Sequence, residues 1–131
     1  MVAAMHTSNE VALRLGVESV ARLCAEYDAA FHCDAVQGAV RERLNLSLLG
    51  ASSMTLSAHK LYGPKGCGLL LLNNTAHAPA LSPMLFGGEQ ERGMRPGTQN
   101  LPAIVGTAAA LTAHDDMRSS LLSHLRQCEN A

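Results

Sequence analysis

The feature that most constrains this chain is an alternation of element types. Short, β-leaning apolar runs at residues 1–5, 29–33, 53–57 and 66–73 are separated by longer stretches, one with a clear helical period. Val17, Val20, Ala21 and Cys24 fall at i, i+3, i+4 and i+7, with Glu18, Arg22 and Glu26 on other faces, so a helix is expected from near Gly16 to Tyr27. Asn100 is placed to cap a second helix and Pro102 is tolerated in its first turn. That helix is expected to reach about Asn130, with a break or bend at His114-Asp115-Asp116. Residues 35–50 are mixed, 78–86 read as extended, and the glycine-rich stretch 87–99 reads as a loop. Strands alternating with helices predict an α/β layer built on a mostly parallel sheet flanked by helices.

A length of 131 residues suits one domain, and 47% hydrophobic residues can fill a core. With 3% aromatics and no Trp, that core must be aliphatic and alanine-rich. A formal net charge of −1, without a basic stripe, gives no electrostatic case for nucleic acid or an anionic membrane. Cys24, Cys33, Cys67 and Cys128 show no paired spacing, which argues against structural zinc and against a disulfide framework. No metal site is expected. The first residues lack the features of a signal peptide, and the aliphatic run 69–72 is too short to cross a bilayer. The chain reads as soluble and cytoplasmic, with a mitochondrial location left open. It starts directly in an apolar run, Met1-Val2-Ala3-Ala4-Met5, and this suggests a fragment or a shortened gene model.

Polar clusters follow three of the apolar runs: Asn9, then Asp34 with Gln37, then Ser57, His59 and Lys60. In open α/β sheets, ligands collect outside the carboxyl ends of the strands, so these clusters have a way to converge. A lysine, a carboxylate, an amide, a hydroxyl and an imidazole around one crevice suit pyridoxal phosphate (PLP). The lysine forms an imine, and the aspartate holds the pyridine nitrogen protonated. Each residue also has a plainer reading. Lys60 fits a solvated loop, Asp34 a cap or turn, and His32 a packed or surface imidazole. His77, His114 and His124 have no partner spacing and read as solvated. Ser57 and His59 also admit a hydrolytic dyad, although nothing resembles a nucleophile elbow. Spacing alone leaves these alternatives open.

Four ordered blocks carry a resemblance that covers nearly the whole chain. They are Asn9-Glu10, His32-Cys33-Asp34-Ala35-Val36-Gln37, Ser57-Ala58-His59-Lys60-Leu61-Tyr62-Gly63-Pro64-Lys65-Gly66, and Gln90-Glu91-Arg92-Gly93-Met94-Arg95-Pro96-Gly97-Thr98. Together they resemble the cysteine desulfurase and selenocysteine lyase family, class V aminotransferases of PLP fold-type I. The resemblance implies that residues 1–131 are part of the large PLP-binding domain, without its N-terminal part and without the C-terminal small domain. It implies Lys60 as the internal-aldimine lysine and proton shuttle, Asp34 at the pyridinium nitrogen and Gln37 at the phenolate oxygen. Ser57 and His59 would hold the phosphate, and Asn9 would lie against the ring. Thr98 would reach the phosphate held by the other subunit of a homodimer.

The implied reaction takes sulfur from L-cysteine, leaving L-alanine and an enzyme persulfide for iron–sulfur cluster assembly or another acceptor, with a scaffold protein as possible recipient. The alternative is release of selenium from L-selenocysteine: Met84-Leu85-Phe86-Gly87-Gly88 and Arg95-Pro96-Gly97-Thr98 resemble the selenocysteine lyase branch, whereas Ser57-Ala58-His59-Lys60 is more similar to the desulfurases. A non-catalytic partner of a full-length homologue is the remaining reading. Three departures accompany the match. None of the four cysteines lies in the family's nucleophile context, Glu89 replaces an expected glycine, and Ala12 and Gly16 break the pattern after Asn9-Glu10.

Overall fold

The computed structural model describes residues 1–11, 13–74 and 81–129. Strands β1 (Val2–Met5), β2 (Phe31–Asp34), β3 (Ser53–Ser57) and β4 (Gly68–Leu72) form one sheet in the order β1-β2-β3-β4. The pairs β1–β2 and β2–β3 are parallel, and β3–β4 is antiparallel. Connection length accounts for the difference. A parallel pair needs a long crossover, supplied by helix α1 (Val17–Glu26) and by the short helices α2 (Gly38–Arg41) and α3 (Leu46–Leu49). The β3–β4 connection, residues 58–67, is shorter: a 3-10 turn and the Gly-Pro-Lys-Gly turn together reverse the chain. The expected α/β layer is therefore present, with one antiparallel edge.

The core lies on one face of this sheet. Val17, Ala21 and Cys24 of α1 pack on Phe31 and Cys33 of β2 and on Met54 of β3, with Leu49 and Ala51 closing one side. Ser52 joins the two strands at their start. Its Oγ accepts from the Phe31 amide at 3.1 Å, and its own amide donates to the Phe31 carbonyl at 2.8 Å. Helix α1 ends where Asp28 adopts φ 51° and the Ala29 amide reaches back to the Cys24 carbonyl at 2.8 Å. Side chains alternate across a strand, so His32 and Asp34 of β2, and Ser53, Thr55 and Ser57 of β3, point to the other face. Met5, Leu70 and Leu72 share that face and are exposed.

Helix α4 (Leu101–Glu129) has the length its sequence suggests but runs without interruption. Asn100 does cap it, the side chain accepting from the Ala103 amide at 3.2 Å. The expected break at His114-Asp115-Asp116 does not occur, because two of these residues are tertiary anchors. His114 is buried, and the Asp115 carboxylate takes both donors of Arg43 at 2.8 and 2.7 Å. One turn on, Arg118 donates to the Ala39 carbonyl at 3.0 Å. The solvated reading of His114 is corrected on the same ground, while His124 is exposed as expected and His77 lies outside the described residues. In the stretch read as a loop, a short 3-10 turn forms at Gln90–Gly93. Glu89 precedes it at φ −101°, an ordinary value, so the missing glycine imposes no backbone strain there.

Candidate functional site

Each parallel strand ends in a polar loop, and all three loops open at the same end of the sheet. After β1 the chain turns at His6, which is fully buried. Its amide donates to the Asp34 carbonyl at 2.8 Å, its Nδ1 pairs with Thr7 Oγ1 at 2.9 Å, and its ring lies against Gly38. A Cβ at position 38 would come 2.4 Å from His6 Nδ1, so only glycine fits. His6 therefore welds the Asn9 loop to the start of α2, just beyond Asp34 and Gln37. Asn9 itself is exposed, and its amide donates to Glu10 Oε1 at 3.3 Å.

Asp34 closes β2 with an exposed carboxylate, and its Oδ1 accepts from the Val36 amide at 3.0 Å. The turn reading of this residue is thus also true, since that bond shapes the step from β2 into α2 and leaves Oδ2 available. Gln37 is half-buried at the start of α2. His32, two residues back on the same face, pairs through Nδ1 with Ser53 Oγ at 2.8 Å and through Nε2 with Thr55 Oγ1 at 3.4 Å. Thr55 is the register partner of Asp34, so this bracket fixes the strands beneath the carboxylate.

At the end of β3, Ser57 Oγ and His59 Nδ1 are 2.9 Å apart. His59 and Lys60 are exposed on a 3-10 turn (Ala58–Leu61) whose buried Ala58 and Leu61 anchor it below. Tyr62 ends the turn at φ 63°, and the Gly63 amide returns to the Ala58 carbonyl at 2.9 Å. Adjacent strands lie about 4.8 Å apart and rise about 3.3 Å per residue. Ser57 is therefore one strand over from Asp34 and about 7 Å further along. Thr98 is exposed between the Gln90–Gly93 turn and α4. Among the described residues, no hydrogen bond or ion pair joins it to Asp34, Ser57 or Lys60.

Chemically this is a set of donors and one carboxylate presented to solvent. Ser57 and His59 sit as a hydrolytic dyad would, yet no carboxylate among the described residues hydrogen-bonds the far nitrogen of His59. A hydroxyl and an imidazole so placed suit holding an anion better than activating a nucleophile. No cluster of three or more metal-ligating side chains occurs among the described residues. The thiols lie elsewhere. Cys33 is buried, and burial, then the charges of Asp34 and Glu18, pushes its pKa up to about 11. Cys24 is buried, Cys67 is half-buried, and Cys128 is exposed with Sγ 3.7 Å from His124 Nε2. A cleft of about 470 Å³ opens between Leu44, Leu56, Leu111 and Arg118, on the core face rather than at the strand ends.

The geometry thus gathers polar side chains at the carboxyl ends of neighbouring parallel strands, with an exposed lysine beside a Ser–His pair and a strand-end aspartate. Comparison places it in a family. Residues 1–127 match the Aminotransferase class-V family model, and the chain belongs to that family. It is 39% identical over 119 residues to the cysteine desulfurase IscS of Vesicomyosocius okutanii subsp. Calyptogena okutanii, covering 90% of this chain and 29% of that one. It is 43% identical over 106 residues to a cysteine desulfurase of Bradyrhizobium diazoefficiens, covering 81% and 26%. A solved NifS-like protein superposes with a TM-score of 0.90 at 34% identity, over 98% of this chain and 35% of that one. The chain spans about a third or less of each relative. The relatives are PLP enzymes of fold-type I, and the four-stranded mixed sheet with its helices is part of that fold. No helix among the described residues is long and apolar enough to cross a membrane.

Sequence reasoning missed three contacts: the burial of His6, the His32 bracket, and the pairing of Tyr62 with His114. Only the last had an available signal. Gly106, Ala110 and His114 recur every fourth residue, which marks one helix face.

Proposed function

We propose that residues 1–131 are part of the large cofactor-binding domain of a PLP-dependent cysteine desulfurase acting on L-cysteine. The observation that carries this is the convergence of Asp34, the Ser57–His59 pair and the Lys60 turn at neighbouring strand ends, in a chain whose relatives are named cysteine desulfurases. The residues present fit the cofactor chemically. Asp34 keeps an exposed carboxylate beside its turn bond, Ser57 and His59 offer paired donors to an anion, and Lys60 is an exposed amine on an anchored turn.

When bound, PLP supplies an electron sink that weakens the bonds at the substrate's α-carbon. Asp34 would hold the pyridine nitrogen and keep its proton in place. Gln37 would donate to the phenolate oxygen, and Asn9 would lie against the ring. Ser57 and His59 would bind the phosphate oxygens. Lys60, an exposed amine on its anchored turn, would hold the cofactor through Nζ and would move a proton at the substrate Cα. The Tyr62 turn and the strand ends orient these groups so that little ordering remains to be done on binding. Thr98 would reach the phosphate held by a second subunit in a homodimer. The thiolate that takes the sulfur is not Cys33, whose burial suppresses ionisation. The whole protein passes that sulfur on to an acceptor.

The test is direct. Incubation with PLP followed by borohydride should place a pyridoxyl group on Lys60, read by peptide mass spectrometry, and Lys60→Ala should carry none. Absence of label on Lys60, or equal labelling of Lys65, overturns the assignment.

A further inference from the structure

The side of the Lys60 turn facing α4 is lined by a register of contacts that the cofactor site does not use. Gly106, Ala110 and His114 stand at i, i+4 and i+8 on α4, a single stripe of that helix. They meet Pro64, Gly63 and Tyr62 in reverse order. A Cβ on Gly106 would lie 3.4 Å from the Pro64 ring, a Cβ on Gly63 would lie 3.2 Å from Ala110 Cβ, and the Tyr62 and His114 rings stack with centroids 6.2 Å apart and planes at 27°. The small residues let the backbone of the turn approach the helix, and the stacked rings form the last step.

His114 is unusual among these contacts. It is 2% exposed, and neither ring nitrogen has a hydrogen-bond partner among the described residues. A polar ring buried without partners is costly, and costlier still when charged. Tyr62, its cover, is mostly exposed and sits at φ 63° immediately after the residues that carry His59 and Lys60. The stack is therefore held from one side only, by α4.

We propose that His114 is a positioning residue for the Lys60 turn: its neutral ring, stacked on Tyr62, clamps the turn to α4, and protonation releases it. The functional weight of this clamp rests on Lys60 being the cofactor lysine. The charges acting on the ring are Arg118 and Asp115 on its own helix; Arg43 pairs with Asp115, Tyr62 stacks on the ring, and the turn that Tyr62 ends also carries His59 and Lys60. Asp115 is occupied by Arg43 and Arg118 and offers the ring little relief. A cation would gain some attraction from the Tyr62 face, but it would bury two unmet donors next to Arg118. Burial first, and then Arg118, hold the ring's proton affinity below its ordinary value of 6.5. A released ring takes up its proton near 6.5, before the clamped ring does. The clamp is thus complete above that pH and weakens as pH falls below it.

The test needs no cofactor, so its failure would leave the Lys60 assignment standing. Histidine and tyrosine ring resonances of the 131-residue chain are followed by NMR from pH 8 to pH 5, with amide hydrogen exchange across residues 58–63. His114 is expected to titrate below 6.5, with Tyr62 shifting at the same midpoint and exchange at 58–63 accelerating below it. His114→Ala should raise exchange in this turn about tenfold at pH 7.5, the size expected from losing an aromatic pair. His114→Phe keeps a ring on Tyr62 without a proton to gain, and should restore protection while abolishing the pH step. Tyr62 resonances and turn exchange that ignore the state of His114, or a pH step that survives in His114→Phe, overturn the proposal.

Discussion

The two faces of the sheet are built on opposite plans, although the same strands supply both. On one, Phe31, Cys33 and Met54 are sealed by α1 at 1%, 0% and 2% exposure. On the other, His32, Asp34, Ser53, Thr55 and Ser57 form a polar band through the two central strands, and Leu70 and Leu72 beside it stand 53% and 51% exposed. Parallel strands are ordinarily covered on both faces. Here one face carries the cohesion and the other the groups able to touch a ligand, and the period of two along each strand keeps them apart. Stability and function are therefore separable within a single four-residue strand.

The largest expected effect tests that separation within β2. Phe31→Ala should lower unfolding stability by about 3–5 kcal/mol, since it removes the largest buried side chain of the core and leaves a cavity. Asp34→Ala, three residues on, should change stability by under about 1 kcal/mol, because its carboxylate is exposed and makes one turn bond. It should nevertheless abolish retention of PLP after gel filtration. Equal melting shifts for the two variants would break the division of labour.

A second contrast lies among the thiols. Cys33 sits on the sealed face, and its pKa of about 11 compares with 9.0 for an ordinary thiol. At pH 8 its thiolate fraction is about a hundredfold lower, before any loss of access is counted. Alkylation followed by mass spectrometry should therefore mark Cys128 and Cys67 well before Cys33. The Cys33 rate should climb about tenfold per pH unit until pH approaches 11. Early labelling of Cys33 would show that the sealed face opens readily.

How much of this was legible beforehand depends on which interaction decides. The strands and α1 follow from local periodicity, and each was readable within a residue or two. The positions at the strand ends were readable as blocks of residues. Their chemistry was not, because Asp34 in a turn and Lys60 in a loop read the same with or without a cofactor. Helix α4 misled for a physical reason. His114-Asp115-Asp116 looks like a polar interruption, but tertiary partners from Arg43 and Tyr62 turn the interruption into an anchor. His6 gave no warning either, since its burial depends on Gly38, a residue 32 positions away and on the next crossover. Contacts between distant residues were the part the local pattern could not carry.

The smallest expected effect bears most closely on the open face. Leu70 is paired with Thr55 across β3–β4 and points to the same side as Asp34. If that side is bare in the 131-residue chain, Leu70→Thr should alter stability by less than about 0.5 kcal/mol, the usual size of a surface change. A β-branched residue also suits the strand as well as leucine does. The same substitution on a covered face would cost about 2 kcal/mol or more through lost apolar burial. Chemical denaturation at two protein concentrations separates these cases. A negligible change at both keeps the comparison of faces as drawn. A loss that appears only at the higher concentration would mean that a second copy covers Leu70, and the bare face would then be a property of the isolated chain alone.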